Sequence, residues 1–347
     1  MLKKIKAPKI MIIRLLLPIL LLSVLTACSG SSGGTDPFTF SGFYFDTLVE
    51  IRLYGVTDEA VAKEKCHQWL EEMEACFSPS EGSELYTLNH AFPENGAAAP
   101  LTDDMRTVLS RALDFYEQSE GAADPTIGSV TALWDFHAQD PLPPSEEAVE
   151  KELSHVGAEK IRLTDEGLIR TDEGTRLDLG YIAKGYIADA MKKKIREELN
   201  VSSGIINLGG NVTLIGSKED GSSWRVGVEK PFGNGEALLT IETRDCSVVT
   251  SGVYERCFTS EDRFYHHILD PENGMPVENG LLSVTILCDD ATAADALSTA
   301  CFVLGPDKGL KLIEGFDNAE ALFIDDHLQI RTSSGFPAYS LSNPAHS

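Results

Sequence analysis

The chain has 347 residues and a formal net charge of -25. Such an acidic balance excludes nucleic acid as a natural partner, because phosphate backbones are held by Lys and Arg. Hydrophobic residues at 42% give enough apolar material for a packed domain, so a disordered acidic chain is excluded too.

The N-terminus carries Lys3, Lys4, Lys6, Lys9 and Arg14, followed by an apolar stretch over Leu15–Leu25. About a dozen apolar residues is the length of a signal-peptide core. A bilayer-spanning helix needs about 20. The stretch ends in Leu25-Thr26-Ala27-Cys28, which resembles the bacterial lipobox, so residues 1–27 are expected to be a lipoprotein signal peptide and Cys28 the lipidated new N-terminus. Residues 28–41 then read as a lipidated Cys and flexible tether, rich in Ser and Gly. Loss of the five leader cations takes the mature charge to about -30. The expected location is extracytoplasmic, with the protein lipid-anchored to the bacterial cell membrane. Six further cysteines show neither CxxC pairing nor metal-ligand spacing, and no disulfide is expected among them.

Phe43–Leu53 alternates as a strand does. Thr57–Phe77 has helical spacing with Thr57 as its cap and Val61, Trp69, Leu70, Met73 and Phe77 on one face. Thr102–Ser119 is a second helix with Met105, Val108, Leu109, Ala112 and Tyr116 inward, and Gly185–Leu199 a third. Ile205–Leu208, Val212–Ile215, Trp224–Glu229, Leu238–Glu242 and Leu281–Leu287 read as strands, and Ala291–Leu304 as a fourth helix. Helix–strand–strand follows to about Thr332. Strands come in groups rather than in strict β-α alternation, so the fold class is α+β with a mixed sheet, over residues 42–340.

Ala291–Gly305 is apolar nearly all round, which marks a buried helix. Asp295 and Thr299 interrupt it one turn apart on the same face. A buried carboxylate is costly unless paired or metal-bound, and a carboxylate with a hydroxyl offers the hard oxygen ligands that suit Mg²⁺. Equally open on this spacing is a plain ion pair at Asp295 and a backbone bond at Thr299. In Leu177–Asp189, Gly180 and Gly185 bracket a turn into a helix beside Lys184, a place where free N–H groups and a positive charge can meet phosphate. Asn207–Asn211 ends a strand with two glycines, reading either as close backbone approach to a ligand or as a simple turn. His266 and His267 lie on a strand, so they point to opposite faces and only one can serve a given site. No G-x-S-x-G elbow occurs, which removes the Ser-His-Asp hydrolase reading.

Eight segments in this order resemble the FAD:protein FMN transferase (ApbE) family. They are FDTLVEIRLYG at Phe45, FSPSEGSELYTLN at Phe77, ADPTIGSVTALWDF at Ala123 and LDLGYIAKGYIAD at Leu177, then INLGGNVTLIG at Ile206, SVVTSGVYER at Ser247, HHILDPENGMP at His266 and SVTILCDDATAADALSTACFVLG at Ser283. The likeness covers about Gly42 to Thr332. Asn211 stands where Asp is commoner, Phe45-Asp46 where Met-Gly is common, and Ser129 where Pro is usual. The resemblance implies one T-fold-related catalytic domain that moves FMN from FAD to a Thr or Ser hydroxyl of another protein, with Mg²⁺, releasing AMP. It implies Asp295, Thr299 and the Tyr181 carbonyl as metal ligands, and Asp178 and Lys184 as FAD contacts. Phe45, Ala123, Asp124, Pro125 and Ile268 fall in flavin-site stretches, and His267 is the expected proton carrier. The implied acceptor is an exported or membrane-bound redox protein with a Ser/Thr flavinylation motif. With water as acceptor the same site would be an FAD pyrophosphatase, and without chemistry a flavin-binding lipoprotein.

Overall fold

The computed structural model describes residues 36–93, 96–136, 138–233 and 235–341. The leader, Cys28 and the segment to Thr35 lie outside the described residues. No helix among the described residues is long and apolar enough to cross a membrane.

The chain opens with a hairpin, β1 (Phe38–Tyr44) and β2 (Thr47–Tyr54), in register from Phe38↔Leu53 to Tyr44↔Thr47. This corrects the single strand expected over Phe43–Leu53. The turn sits at Phe45-Asp46, which carries neither Gly nor Asn, so its residues gave no turn signal. Helix α1 (Glu59–Phe77) is capped by Asp58, whose Oδ1 accepts from the N–H groups of Ala60 and Val61, rather than by Thr57. Its inward face carries Ala62, Cys66, Trp69, Leu70, Met73, Cys76 and Phe77, and Val61 is exposed. Helix α2 (Glu84–His90) precedes α3 (Asp103–Gln118), which is capped by the Thr102 hydroxyl and buries Phe115 where Tyr116 was expected. Short helices α4 (Gly128–Thr131) and α5 (Glu146–Leu153) and the ribbon β3 (Ile161–Thr164) with β4 (Gly167–Arg170) lead to α6 (Ala183–Glu198).

Strands β5 (Ser203–Leu208), β6 (Asn211–Ile215), β7 (Trp224–Glu229), β8 (Ala237–Thr243) and β9 (Ser247–Gly252) follow, then the ribbon β10 (Cys257–Ser260) and β11 (Arg263–His266). Strand β12 (Leu281–Cys288) precedes α7 (Ala291–Ile313), with β13 (Ala319–Asp325), β14 (Ile330–Thr332) and β15 (Tyr339–Leu341) last. Within α7 the helix breaks at Gly305, φ +75°, just before Pro306, where the sequence ends it.

The main sheet has eight strands in the order β1-β2-β5-β6-β9-β12-β13-β14, every pairing antiparallel. Residues of α1, α3, α6 and α7 form one continuous core with the sheet, including Leu70, Leu109, Ile187 and Phe302. A second core takes Leu214, Val248, Leu287 and Ile324 from the sheet and Trp224, Val228, Leu239 and Ile241 from the separate β15-β8-β7 sheet. Central strands are therefore covered on both faces. That is why β12 reads as a near-continuous apolar run rather than an alternating one. The six described cysteines are free, and burial pushes the thiols of Cys66, Cys76 and Cys288 up to about 12.

Candidate active site

The first turns of α6 and α7 touch, and Gly185 is the reason they can. A Cβ built on Gly185 would stand 2.2 Å from the Ala291 carbonyl oxygen and 2.8 Å from Asp295 Cβ. The Gly185 N–H donates to Asp295 Oδ2 at 2.9 Å, and the Asn211 side-chain amide donates to Asp295 Oδ1 at 2.9 Å. Asp189, one turn further along α6, accepts from the N–H groups of Ala291 and Thr292 and from the Thr292 hydroxyl. Two carboxylates thus weld the two helices together.

Asp295 is 4% exposed and has no Lys or Arg in an ion pair among the described residues. Burial raises its pKa, against the opposing influence of the Lys184 charge and the two N–H donors. Thr299 meets the Ser251 hydroxyl at 3.2 Å and, among the described residues, not its own helix backbone, and Ser251 also bonds Ser298 at 2.7 Å. The Gly185 N–H, spent on Asp295, does not close a turn onto the Tyr181 carbonyl. That oxygen accepts no backbone hydrogen bond among the described residues. A carboxylate, a hydroxyl and an unclaimed carbonyl therefore belong to residues lining one cavity, hard oxygen donors of the type that suits Mg²⁺.

These groups open onto a cavity of about 540 Å³. Phe45, Asp124, Asp178, Tyr181, Lys184, His267, Ile268, Asp295 and Thr299 all line it. Ala123 and Pro125 stand behind the wall. The Ala123 carbonyl accepts from the Tyr181 hydroxyl at 3.5 Å and the Pro125 carbonyl from the Asp178 N–H at 2.9 Å. Asp124 is buried with its Oδ1 taking the Thr126 N–H and hydroxyl, and burial raises its pKa. One apolar cluster contributes Ile127, Leu269, Trp134 and Phe136 to the cavity wall, the last two stacked at 5.8 Å between centroids. Arg176, Lys184 and Arg256 also line the cavity, none in a close ion pair among the described residues, and Arg176 is bridged through its backbone to Ile127. The carboxylates of Asp46, Asp124, Asp135, Asp178, Glu255 and Asp295 line it too, so an anion bound there would depend on these three cations.

One expectation changes here and one open reading is decided. Neither bracketing glycine offers a free N–H, since that of Gly180 goes to Asp178 Oδ1 at 2.8 Å and that of Gly185 to Asp295. The glycines of Asn207–Asn211 serve a hairpin turn with φ of +60° and +99°, and Gly209 approaches Thr47, not the cavity. What that segment contributes is the Asn211 side chain. Arg176, Arg256 and Glu255 were not singled out from the sequence. Arg256 and Glu255 lie in the SVVTSGVYER motif, but only the fold shows that the turn after β9 bends them inward.

His266 and His267 do diverge. His266 is buried, its Nε2 bonded to the Val277 carbonyl at 3.0 Å, while His267 faces the cavity. His267 Nδ1 lies 3.3 Å from the Arg256 carbonyl, so as a donor there it leaves Nε2 with its lone pair. Desolvation, then the charges of Arg256, His266 and Lys184, push its pKa down to about 3. The imidazole is thus neutral, and able to accept a proton, throughout the physiological range. Proton uptake there is a property of the unfolded chain, so the folded state loses stability through this group as pH falls from 6.5 toward about 3. In an NMR titration the His267 resonance, assigned by His267→Gln, is expected to stay flat from pH 8 to pH 5; a midpoint near the ordinary value would overturn this assignment.

Comparison with known proteins follows this geometry. The family model described as "ApbE family" matches residues 45–323. An FAD:protein FMN transferase of Treponema pallidum is 34% identical over 330 residues, covering 88% of this chain and 90% of its own. One of Klebsiella pneumoniae is 30% identical, covering 86% and 92%. Among solved structures, the ApbE protein of Thermotoga maritima superposes with a TM-score of 0.78 at 31% identity, covering 86% of this chain and 97% of that one. The flavin transferase ApbE of Vibrio cholerae gives 0.76 at 25% identity, covering 87% and 98%.

Proposed function

The chain belongs to the ApbE family, and on that premise we propose that it is an FAD:protein FMN transferase that moves FMN from FAD onto a Thr or Ser hydroxyl of another protein, with Mg²⁺, releasing AMP. The observation that carries the reading is a single cavity lined by the aromatic pair Trp134 and Phe136, by Arg176, Lys184 and Arg256, and by the oxygen donors Asp295, Thr299 and Tyr181. A dinucleotide with flat ring systems and a doubly charged pyrophosphate calls for the same kinds of contact.

Asp295, Thr299 and the Tyr181 carbonyl would hold the Mg²⁺, whose charge, when bound, polarises the pyrophosphate. Lys184, Arg256 and Arg176 offset the remaining phosphate charge, which an acidic protein could not otherwise accommodate. The acceptor hydroxyl attacks the FMN phosphorus; the bond to the AMP phosphate oxygen breaks, and AMP leaves with that oxygen. His267 Nε2 takes the hydroxyl proton, as its neutral state at pH 7 allows. Phe45, Asp124 and Ile268 bound the flavin with Ala123 and Pro125 backing the wall, and Asp178 and Lys184 contact the FAD.

In this reading residues 1–27 are removed and lipid on Cys28 anchors the domain of residues 42–340 outside the cytoplasm. The lipobox-like Leu25-Thr26-Ala27-Cys28 and the Ser/Gly tether support that placement. The acceptor is then an exported or membrane-bound redox protein with a Ser/Thr flavinylation motif. The test is incubation of the protein with FAD and Mg²⁺, with and without an acceptor domain, followed by intact mass. Covalent FMN on the acceptor is expected. Free FMN appearing at the same rate in both would make the protein an FAD pyrophosphatase instead.

A further inference from the structure

The β1–β2 connection is built against local preference. Tyr44 pairs with Thr47, leaving a two-residue turn in which Phe45 has φ +52° and Asp46 φ +55°. Turns of that kind normally use Asn-Gly or Gly, because a side chain at positive φ crowds its own backbone. Both residues line the cavity. The strained turn is therefore part of the binding wall, and something outside it must hold it.

Two contacts do so. On one side the Leu48 carbonyl accepts the Gly209 N–H at 3.0 Å. On the other, Glu74 of α1 accepts the Phe45 N–H through Oε1 at 3.1 Å. Glu74 is half-buried, and its side chain makes no other hydrogen bond or ion pair among the described residues. One turn further on, Phe77 and Ser78 line the same cavity. A charged acceptor on a backbone N–H is the stronger class of hydrogen bond, and this one is aimed at a residue whose conformation is disfavoured.

We propose that Glu74 is a positioning residue for ligand binding, clamping the Phe45-Asp46 turn to α1 so that Phe45 keeps its place in the cavity wall. The clamp rests on the reading of this cavity as the FAD site, and it extends that reading to a residue outside the cavity lining. Glu74 touches no reacting atom, so it governs binding and not the chemical step.

The experiment measures FAD affinity by flavin fluorescence, and KM against kcat, for the full chain and its variants. Glu74→Met keeps the stem and deletes the acceptor. It is expected to weaken FAD binding and raise KM about tenfold, the worth of one charge-assisted hydrogen bond, with kcat nearly unchanged. Glu74→Gln keeps an acceptor oxygen and should recover most of the loss. In the Asp46→Gly background, where one strained position is relieved, the Glu74→Met effect should shrink to about twofold, a coupling that a merely structural role for α1 would not produce. If the wild type binds FAD and Glu74→Met binds it equally well, the clamp is wrong. The same holds if the loss is undiminished in the Asp46→Gly background. A wild type that does not bind FAD overturns the site assignment instead.

Discussion

Asp295→Ala is expected to lower FMN transfer about 10³-fold while the protein still folds. The carboxylate is the only charged member of the proposed ligand set, and electrostatic stabilisation by a bound metal is worth several kcal/mol, with each 1.36 kcal/mol a factor of ten. The stability side nearly balances. Removing Asp295 leaves the Gly185 N–H and the Asn211 amide without their acceptor, which costs about 1–3 kcal/mol per buried group. It also removes a buried charge whose raised pKa reports its discomfort. Asp295→Asn is the poorer test, because both carboxylate oxygens face N–H donors and the new amide would set N–H against N–H at one of them. Steady-state turnover over a Mg²⁺ titration, with thermal unfolding in parallel, reads both effects. Wild-type turnover in Asp295→Ala would sink the metal assignment.

Gly185→Ala is expected to cost about 3 kcal/mol or more, at the top of the range for overpacking. The added methyl would lie 2.2 Å from the Ala291 carbonyl oxygen, which is backbone and cannot swing aside. Helices α6 and α7 must then part. Parting them lengthens the Gly185–Asp295 bond and strains the three hydrogen bonds at Asp189, so stability and turnover fall together. Denaturant unfolding measures the loss, and an unchanged midpoint would show that the helix contact is looser than this geometry. Together the two substitutions separate chemistry from architecture: the first should leave the fold and remove turnover, the second should weaken both.

Much of this was legible in the residues themselves. Helical spacing marks Thr102–Ser119 and Ala291–Leu304, and the structure places helices at Asp103–Gln118 and at the part of α7 before Gly305, because caps such as Thr102 and breakers such as Gly305-Pro306 act locally. The pairing of Asp295 with Thr299 is also a local fact, one helical turn apart. The Phe45-Asp46 turn was not legible, since its conformation contradicts the preferences of both residues and depends on Glu74 and on the Gly209 N–H from distant segments. Nor were Arg176 and Arg256, because nothing in a lone Arg says which way it faces.

The sequence by itself determined the long helices, several of the strands, the acidic character, the expected export signal and the oxygen pair on a buried helix, since each is read from composition or from neighbours within a few residues. Only the tertiary structure decided which cations line the cavity, which His meets it, and what Asp295 bonds. Those depend on contacts between residues such as Gly185 and Asp295, 110 positions apart, which a hydrogen bond at 2.9 Å joins and no local pattern records.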